Sequence, residues 1–266
     1  MTRALRSLAH ALLVVAATAA CATDTPAPRA ALDPPLARAL VTVEDVQRSI
    51  DDEKVFAQSY DRLPRPGEPW FMVLDGCAEV LLTAPHATKA TRDGALRFAD
   101  TGTGSLATAL HRLTGARVIH TTLASPSDPN YYDDNDFKAA VAAALTARKP
   151  VLVIDLHGSH DFRPYDVDFG TMGRRSLLGR DDLLAALSTA LRAEGLSNQS
   201  LDFFAAATNR TLTRWVAARG VPAVQLEINS TWLSAGAGRL EAHRHAQLLQ
   251  GLTRFIASLG CARRPS

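Results

Sequence analysis

The chain has 266 residues, 47% of them hydrophobic, and a formal net charge of +2 at pH 7. This length suits one large domain or two small ones and allows a substantial buried core. The near-neutral charge, without a run of Lys or Arg, argues against a nucleic-acid-binding protein. The three cysteines (Cys21, Cys77 and Cys261) form no CxxC or CxxH pair, which argues against zinc bound through cysteine.

Residues 1–21 have the features of an export signal. A basic start at Arg3 and Arg6 precedes an apolar core at residues 8–17, and small residues follow it. The apolar core is too short for a transmembrane helix. We therefore expect an exported protein of the bacterial periplasm or cell envelope.

The first cysteine stands directly after the small residues of the signal. The segment Thr18-Ala-Ala-Cys21 resembles a bacterial lipobox, although threonine stands where leucine is usual. Cys21 is therefore either lipidated or lost in an ordinary signal cleavage, for instance after Ala22. In both cases the export route permits a disulfide between Cys77 and Cys261.

The rest of the chain divides into an N-terminal extension and one catalytic domain. Residues 22–65 are predicted to form a tether and extension, and residues 66–262 the catalytic α/β domain. Within the extension, residues 22–40 are rich in Ala, Pro, Asp and Thr, as in flexible linkers. Residues 41–55 are predicted to form a short amphipathic helix.

Strand and helix patterns alternate through the predicted domain. Strand-like runs occupy residues 70–74, 79–83, 116–122, 151–157, 165–172 and 221–228. Helical patterns occupy residues 105–113, 137–148, 181–193, 209–219 and 239–259. Asp75-Gly76 separates the first two strands and predicts a hairpin turn. This alternation predicts one three-layer α/β/α sandwich.

Three predicted strands carry polar side chains near their carboxyl ends. His86 follows the second strand, Asp155 and His157 end the fourth, and Glu227 lies near the end of the last. Parallel strands bring such ends to one edge of a sheet. Two histidines and a carboxylate are a recurrent zinc ligand set, and a further glutamate can act as general base. Asp155 is better explained as the partner that orients a ligating histidine.

The third metal ligand has two candidates. Asp100 precedes a Gly-Thr-Gly turn, where the backbone can approach an ion closely. Its alternative role is the N-cap of the following helix. Asp93, which is nearer His86 in the chain, is a competing ligand.

Two further residues are candidates for substrate contact. Arg92 follows His86 by six residues and could stabilise an oxyanion or bind a substrate carboxylate, or be a surface arginine. His160 could line the pocket, although a solvent-facing loop position is the stronger expectation. The remaining histidines lack neighbouring carboxylates and are expected to be structural or exposed: His111, His120, His243 and His245.

Five motifs, in collinear order over residues 70–258, together resemble the N-formylglutamate amidohydrolase family. They are Ala84-Pro-His-Ala-Thr-Lys-Ala-Thr-Arg92, Ala99-Asp-Thr-Gly-Thr103, Asp128-Pro-Asn-Tyr-Tyr132, Ile154-Asp-Leu-His-Gly158 and Val224-Gln-Leu-Glu-Ile-Asn229. The resemblance implies the fold of the zinc carboxypeptidases, with a mixed sheet between layers of helices and zinc at the strand ends.

The resemblance also implies a ligand set and a mechanism. One Zn²⁺ ion would be bound by His86, Asp100 and His157, and Glu227 would act as general base on the water at the zinc. By resemblance alone, the substrate-binding residues would also include Asp128 and Asn130.

Two departures from the family pattern concern the ligands and the substrate. The His-x-x-Glu spacing of the carboxypeptidases is absent because Lys89 occupies that place. No arginine immediately follows the Glu227 motif, so the residue that binds a substrate carboxylate stays open.

The prediction is an exported zinc-dependent amidohydrolase that cleaves the amide of an N-formyl or N-acyl amino acid or a small peptide. One alternative is a metallo-carboxypeptidase-like enzyme acting on cell-wall peptides. The other is an envelope lipoprotein that binds a ligand without catalysis. No nucleic-acid partner is expected, and membrane association only through a lipid anchor at Cys21.

Overall fold

The computed structural model describes residues 39–261, which belong to one compact unit. The predicted export signal, the lipobox and residues 22–38 of the tether lie outside the described residues. Among residues 39–261, no helix combines the length and apolar character that a bilayer span requires.

Nine strands and seven α-helices make up the described chain. The strands are β1 Phe71–Leu74, β2 Val80–Ala84, β3 Ala90–Arg92, β4 Ala95–Arg97, β5 Arg117–Thr121, β6 Leu152–Ser159, β7 Val167–Gly170, β8 Gln199–Leu201 and β9 Ala223–Asn229. The helices are α1 Val43–Ala57, α2 Thr103–Thr114, α3 Asp136–Ala147, α4 Asp181–Ala193, α5 Leu212–Ala217, α6 Ser230–Leu233 and α7 Arg239–Leu259. One 3₁₀ turn occupies Arg175–Leu177.

Seven of the strands form one mixed sheet in the order β1-β5-β2-β6-β9-β7-β8. The four central strands, β5, β2, β6 and β9, are parallel. Strands β1 and β7 run antiparallel to their neighbours β5 and β9, and β8 runs parallel to β7. The predicted mixed central sheet is confirmed.

Both faces of the central strands are covered by helices. Leu82 and Ile154 lie on one face and pack with α2, α4 and α7. Leu81 and Val153 point to the other face and pack with α3 and α5. Because successive strand residues alternate between two buried faces, the strands have continuous apolar runs rather than alternating ones. The three-layer prediction is confirmed.

The predicted hairpin at Asp75-Gly76 is wrong. Strand β1 does not pair with β2; it lies at the sheet edge, antiparallel to β5. Every residue of β2 is buried, whereas β1 is partly exposed, so β2 takes a central place and β1 an edge. The connection between them is tied to the end of α7 by a disulfide between Cys77 and Cys261, whose Cα atoms are 4.8 Å apart.

Short elements account for the other differences from the predictions. The β3–β4 hairpin and β8 have only three residues in each strand and no fully buried face, so no apolar pattern marks them. The helix predicted at residues 209–219 is confined to α5, whose N-cap is Thr211.

Helix α1 packs on the α/β unit, although its residues were assigned to the N-terminal extension. The helix begins with a capping box between Thr42 and Asp45. It packs against α2 and α7, and Phe56 enters the main core. A Cβ on Gly104 would lie 2.6 Å from the Phe56 ring, so glycine is required for this close approach.

Candidate metal centre and active site

One face of the sheet changes from apolar to polar near the carboxyl ends of its central strands. In the strand register, Asp155 of β6 lies between Thr83 of β2 and Gln225 of β9. Two residues further on, His157 is paired with Glu227. Alternate residues of a strand share a face, so these side chains form one polar patch above the apolar core.

Two histidines and one aspartate converge at this patch. Ligand atoms of His86, Asp100 and His157 all lie within 4.8 Å of one another. Asp100 Oδ2 lies 3.0 Å from Nδ1 of His157 and 3.5 Å from Nδ1 of His86. The three residues named as metal ligands from the sequence are therefore brought together, with both Nδ1 atoms directed at the same carboxylate.

Asp100 reaches the histidines because the β3–β4 hairpin turns the chain back towards His86. The Asp100 backbone N–H donates to the carbonyl of His86 at 2.7 Å. Asp100 is not the N-cap of α2. That position is Gly102, which has no side chain to cap the helix. A Cβ on Gly158 would lie 3.3 Å from the Cβ of Asp100, so the Asp100 loop approaches strand β6 closely.

Asp93, the competing ligand, and Lys89, which stands in the place of the family's glutamate, both lie away from the two Nδ1 atoms. Asp93 is exposed at the hairpin turn, where it accepts a hydrogen bond from the Tyr132 hydroxyl at 3.0 Å. Lys89, which occupies the place of the missing glutamate, lies 3.7 Å from the carboxylate of Asp61.

The outer nitrogen of each histidine faces a fully buried carboxylate. Nε2 of His86 lies 2.9 Å from Asp128 Oδ1, and Nε2 of His157 lies 3.2 Å from Asp155 Oδ2. Thr83 donates to the other oxygen of Asp155 at 2.7 Å. Both ring nitrogens of each histidine thus face carboxylate oxygens, which only accept, so without a metal each ring carries a proton on Nδ1 as well as on Nε2. A metal ion bound between the two Nδ1 atoms and Asp100 would take the place of the Nδ1 protons, while each Nε2 would keep its proton for the buried carboxylate.

Asp128 and Arg92 form a pair behind His86. Arg92 donates to Asp128 Oδ2 from Nε at 2.9 Å and from Nη2 at 2.6 Å, and the backbone of Asn130 donates to Oδ1 at 2.8 Å. Asp128 was expected to contact substrate, but its side chain is fully buried and both oxygens are engaged within the protein. The guanidinium carbon of Arg92 also lies 4.4 Å from the centre of the Tyr131 ring. Nη1 is the one guanidinium nitrogen of Arg92 that does not bond to Asp128.

The two remaining substrate-binding candidates lie on separate loops. Asn130 Oδ1 accepts from the backbone of Leu212 at 2.6 Å, which leaves its Nδ2 3.4 Å from Nε2 of His157. His160 is exposed and stacks on the Phe162 ring with centroids 4.9 Å apart.

The cluster attracts positive charge. Burial disfavours the imidazolium of His86, but hydrogen bonds to Asp100 and Asp128 outweigh it and raise its pKa to about 9. The pKa of His157 is also raised, against burial, by Asp155 and Asp100. Burial opposes ionisation of Asp100, yet the two histidines lower its pKa to about 2. The carboxylates thus favour cationic charge at this position, which a divalent ion could supply instead of protons.

Glu227 lies beside this cluster with a different environment. Burial raises its pKa to about 7, although the positive charge of His157 acts in the opposite direction. Gln225 Nε2 donates to its Oε1 at 2.8 Å, and no bond to Oε2 is present among the described residues. The carboxyl group is therefore oriented through one oxygen.

Sequence reasoning missed two groups of supporting residues. Gln225 precedes Glu227 by two residues on β9, so period-two spacing could have identified it. Thr83 is the register partner of Asp155 on the neighbouring strand, which the sequence of β2 alone does not reveal. Glu53 has no such signal: its oxygens accept from Gly102 N–H at 2.9 Å and from the Ser105 hydroxyl at 2.7 Å, and the Tyr60 hydroxyl also bonds to it. Glu53 of α1 thus holds the loop that carries Asp100.

The donor set fits a divalent metal ion. Two imidazole Nδ1 atoms and one carboxylate suit zinc, and the carboxylates at both Nε2 atoms are the outer partners that ligating histidines usually have. Glu227 is a fourth acidic group that stands outside this ligand set.

The chain is similar in structure to several solved hydrolases. With N-formylglutamate amidohydrolase from Ralstonia eutropha JMP134 it has a TM-score of 0.50 and 15% identity, over 71% of this chain and 96% of that one. With a bacteriophage poly-gamma-glutamate hydrolase the TM-score is 0.44 at 15% identity, over 71% and 87%. With a metallo-carboxypeptidase from Burkholderia cenocepacia it is 0.43 at 11% identity, over 71% and 65%.

At these identities the likeness concerns the fold alone. The match to N-formylglutamate amidohydrolase confirms the predicted resemblance to that enzyme in fold. No protein-family model matches the sequence, and no curated protein matches it. The chain therefore has the fold of a hydrolase, and its chemistry has to be argued from its own residues.

Proposed function

We propose that the protein is a zinc-dependent amidohydrolase that cleaves the amide bond of an N-formyl or N-acyl amino acid or a small peptide. The observation that carries this proposal is the orientation of His86 and His157. Each directs Nδ1 at Asp100, while its Nε2 faces a buried carboxylate. The fold of N-formylglutamate amidohydrolase supports the choice of an amide substrate.

His86, Asp100 and His157 would hold the zinc. A zinc ion bound there would polarise the substrate carbonyl and lower the pKa of a water molecule to about 7. Asp128 and Asp155 accept from the Nε2 atoms and would keep both imidazoles in the tautomer that offers Nδ1 to the bound ion. Arg92 fixes Asp128 and, through it, the ring of His86.

Glu227 would move the proton during hydrolysis. Its Oε2 is available to accept a proton from the attacking water and to return it to the leaving amide nitrogen. The hydrogen bond from Gln225 to Oε1 prevents the carboxyl group from rotating away. A pKa near 7 suits both halves of this transfer at neutral pH.

The predicted contact of Arg92 with substrate depends on its one remaining terminal nitrogen. Nε and Nη2 are bound to Asp128, so only Nη1 could donate to an oxyanion or a substrate carboxylate. Nδ2 of Asn130 is a second donor near His157. We propose these two groups as secondary contacts.

Metal content and a matched glutamate pair test the proposal. Purified, untagged protein should contain about one zinc per chain, and added zinc should raise its melting temperature. Glu227→Gln should retain the metal and lose at least ~100-fold in kcat. Glu44→Gln, which alters an exposed glutamate of α1, should be fully active.

The alternatives give different results in the same assays. Protein that neither contains zinc nor gains stability from it would remove the metallohydrolase proposal. Release of C-terminal residues from peptides, without hydrolysis of formyl or acetyl amino acids, would favour the carboxypeptidase-like alternative. Zinc binding without hydrolysis of any of these substrates would favour the ligand-binding lipoprotein.

Export and lipidation of Cys21 are a separate proposal. An exported location agrees with the disulfide between Cys77 and Cys261, because such bonds persist in oxidising compartments.

A further inference from the structure

A cavity lies at the amino-terminal end of the central sheet, away from the proposed metal centre. Arg117, one of its lining residues, is the first residue of β5, whereas His86 and His157 lie at the carboxyl ends of β2 and β6. The cavity has a volume of about 430 Å³ and is lined by Asp75, Gly76, Cys77, Arg117, Ala147 and Arg148. Small-molecule sites in proteins occupy roughly 300–1,000 Å³, so this cavity has the size of a ligand site.

Arg117 is buried in the wall of this cavity and lacks acceptors for two of its nitrogens. The residue is only 5% exposed. Its Nη1 donates to the carbonyl of Ala144 at 2.9 Å, but Nε and Nη2 are buried and make no hydrogen bond within residues 39–261. A buried charged donor without an acceptor is costly in free energy. The Nε–Nη2 edge of this guanidinium group is therefore in need of a partner.

The same edge of the guanidinium group binds a carboxylate elsewhere in this chain. Both Nε and Nη2 donate to an acidic side chain in Arg92, Arg180 and Arg254. Asp75 and Glu79 are within electrostatic range of Arg117, but in the described part of the chain neither forms an ion pair with it. The two parallel N–H groups of this edge are suited to two oxygens of one oxyanion.

Arg148 brings a second positive charge to the cavity. Its Nη1 lies 3.5 Å from the carbonyl oxygen of Cys77, its Nη2 donates to the carbonyl of Gly76, and no carboxylate of residues 39–261 pairs with it. Burial lowers the pKa of Arg117, and the positive charge of Arg148 lowers it further. The two guanidinium groups therefore repel each other, and an anion bound to both would remove that repulsion.

One wall of the cavity, formed by residues 75–77, is fixed before any ligand binds. The disulfide between Cys77 and Cys261 attaches it to the end of α7. A Cβ on Gly76 would lie 2.1 Å from the carbonyl oxygen of Gly115, so glycine is required for this close packing. The bonds from Arg148 hold the same segment. A site with walls fixed in this way loses little conformational entropy when a ligand binds.

The arrangement favours a phosphate group over a carboxylate. A carboxylate has two oxygens, and the Nε–Nη2 edge of Arg117 would take both. A phosphate group has further oxygens that can accept from Arg148 at the same time. At about 430 Å³ the cavity also leaves room for a larger molecule to which the phosphate is attached.

We propose that Arg117 and Arg148 form a binding site for a phosphate group at the amino-terminal end of the sheet. The Nε–Nη2 edge of Arg117 binds two phosphate oxygens, and Arg148 binds a third. The site is separate from the proposed amidohydrolase centre, because His86 and His157 lie at the opposite ends of the strands.

Calorimetric titration with inorganic phosphate tests the site. Arg117→Gln should weaken binding about 30-fold and Arg148→Gln about tenfold. Arg117→Lys, which keeps the charge but not the paired donors, should bind with intermediate affinity. Arg180→Gln alters an exposed arginine paired with Asp182 and should match the wild type. Melting temperatures without phosphate show whether each variant folds, and if Arg117→Gln does not, Arg117→Lys and Arg148→Gln decide the matter.

Asp75→Asn provides a test of opposite sign. Asp75 lines the cavity, and its Oδ1 accepts from the N–H of Gly76 at 2.8 Å, a bond that asparagine can keep. Removal of its negative charge should strengthen phosphate binding about threefold. Unchanged or weaker binding would contradict an anion in this cavity.

Two further probes separate a soluble phosphate compound from a membrane headgroup. Glycerol 3-phosphate that binds at least as tightly as inorganic phosphate would assign the site to a soluble ester. The second probe is cosedimentation with vesicles of phosphatidylglycerol and phosphatidylcholine, using Cys21→Ala protein, which cannot carry a lipid at that position. Cosedimentation that Arg117→Gln abolishes would assign the site to a lipid headgroup.

Three results would overturn the phosphate site. Equal phosphate binding by the wild type, Arg117→Gln and Arg148→Gln would place the anion elsewhere in the protein. Acetate that displaces phosphate at equal concentration would exclude a role for the additional phosphate oxygens. If the wild type binds neither phosphate compound at millimolar concentration and does not cosediment with the vesicles, Arg117 is bonded to water only.

Discussion

Glu53 links α1 to the loop of the proposed ligand Asp100, and its removal should affect both stability and metal binding. Glu53→Ala leaves the buried N–H of Gly102 without an acceptor and takes one acceptor from the hydroxyl groups of Ser105 and Tyr60. The Ser105 hydroxyl keeps a second bond, to the carbonyl of Gly102 at 3.1 Å. The cost should therefore come mainly from Gly102 and Tyr60, about 3 kcal/mol in the free energy of unfolding.

Urea unfolding and a zinc competition titration measure the two effects. Glu53→Gln keeps an acceptor for Gly102 and should lose only about 1 kcal/mol. Glu53→Ala should also bind zinc about tenfold more weakly at temperatures where it is folded, because the Asp100 loop loses its support. Asp51→Ala, on the exposed side of the same helix, should leave both quantities unchanged. A Glu53→Ala protein with wild-type stability, or with wild-type zinc affinity, would refute the reasoning.

Three other predictions concern pH, the outer partner of a ligand, and anchoring. Burial lowers the pKa of His245 to about 4 in the folded protein, against an ordinary 6.5, so the unfolded chain takes up the proton first as the pH falls. The free energy of unfolding should therefore drop by about 2 kcal/mol from pH 7 to pH 5 on account of this group. In urea unfolding at pH 7 and pH 5, the free energy of unfolding of His245→Gln should fall less between the two pH values than that of the wild type. An equal fall in both proteins would contradict the assignment to His245. Asp155→Asn should weaken zinc binding about 10- to 100-fold with the fold retained, which zinc competition and circular dichroism together can check. Cys21→Ala should move the protein from the membrane to the soluble periplasmic fraction if Cys21 is lipidated, and an unchanged distribution would favour ordinary signal cleavage.

Much of the fold follows from local pattern. The apolar runs of β2, β6 and β9 are buried on both faces, and such runs are visible in any window of the sequence. Helix α7 begins and ends where its periodicity predicts. The pairing of β1 was mispredicted because a hairpin signal describes only neighbouring residues, whereas edge and centre positions depend on what the whole sheet buries.

Some residues of the candidate site follow from local pattern, and others depend on tertiary packing. His86, His157 and Glu227 stand at strand ends, so the general rule for parallel sheets is enough to place them together. The position of Asp100 depends on the β3–β4 hairpin, which no apolar pattern in the sequence predicts. The burial of Asp128 behind His86 is likewise a matter of packing between distant segments.

The sequence alone determined the alternation of elements and the residue types at the strand ends, because both are set by periodicity over a few residues. Only the tertiary structure decided between Asp100 and Asp93 as the carboxylate that faces the two Nδ1 atoms, and showed that Asp128 faces Nε2 of His86 and that Glu53 of α1 supports the loop. These roles depend on distances between segments up to 57 residues apart, as for Asp100 and His157. Such distances are set by how the layers pack, and local sequence carries no measure of them.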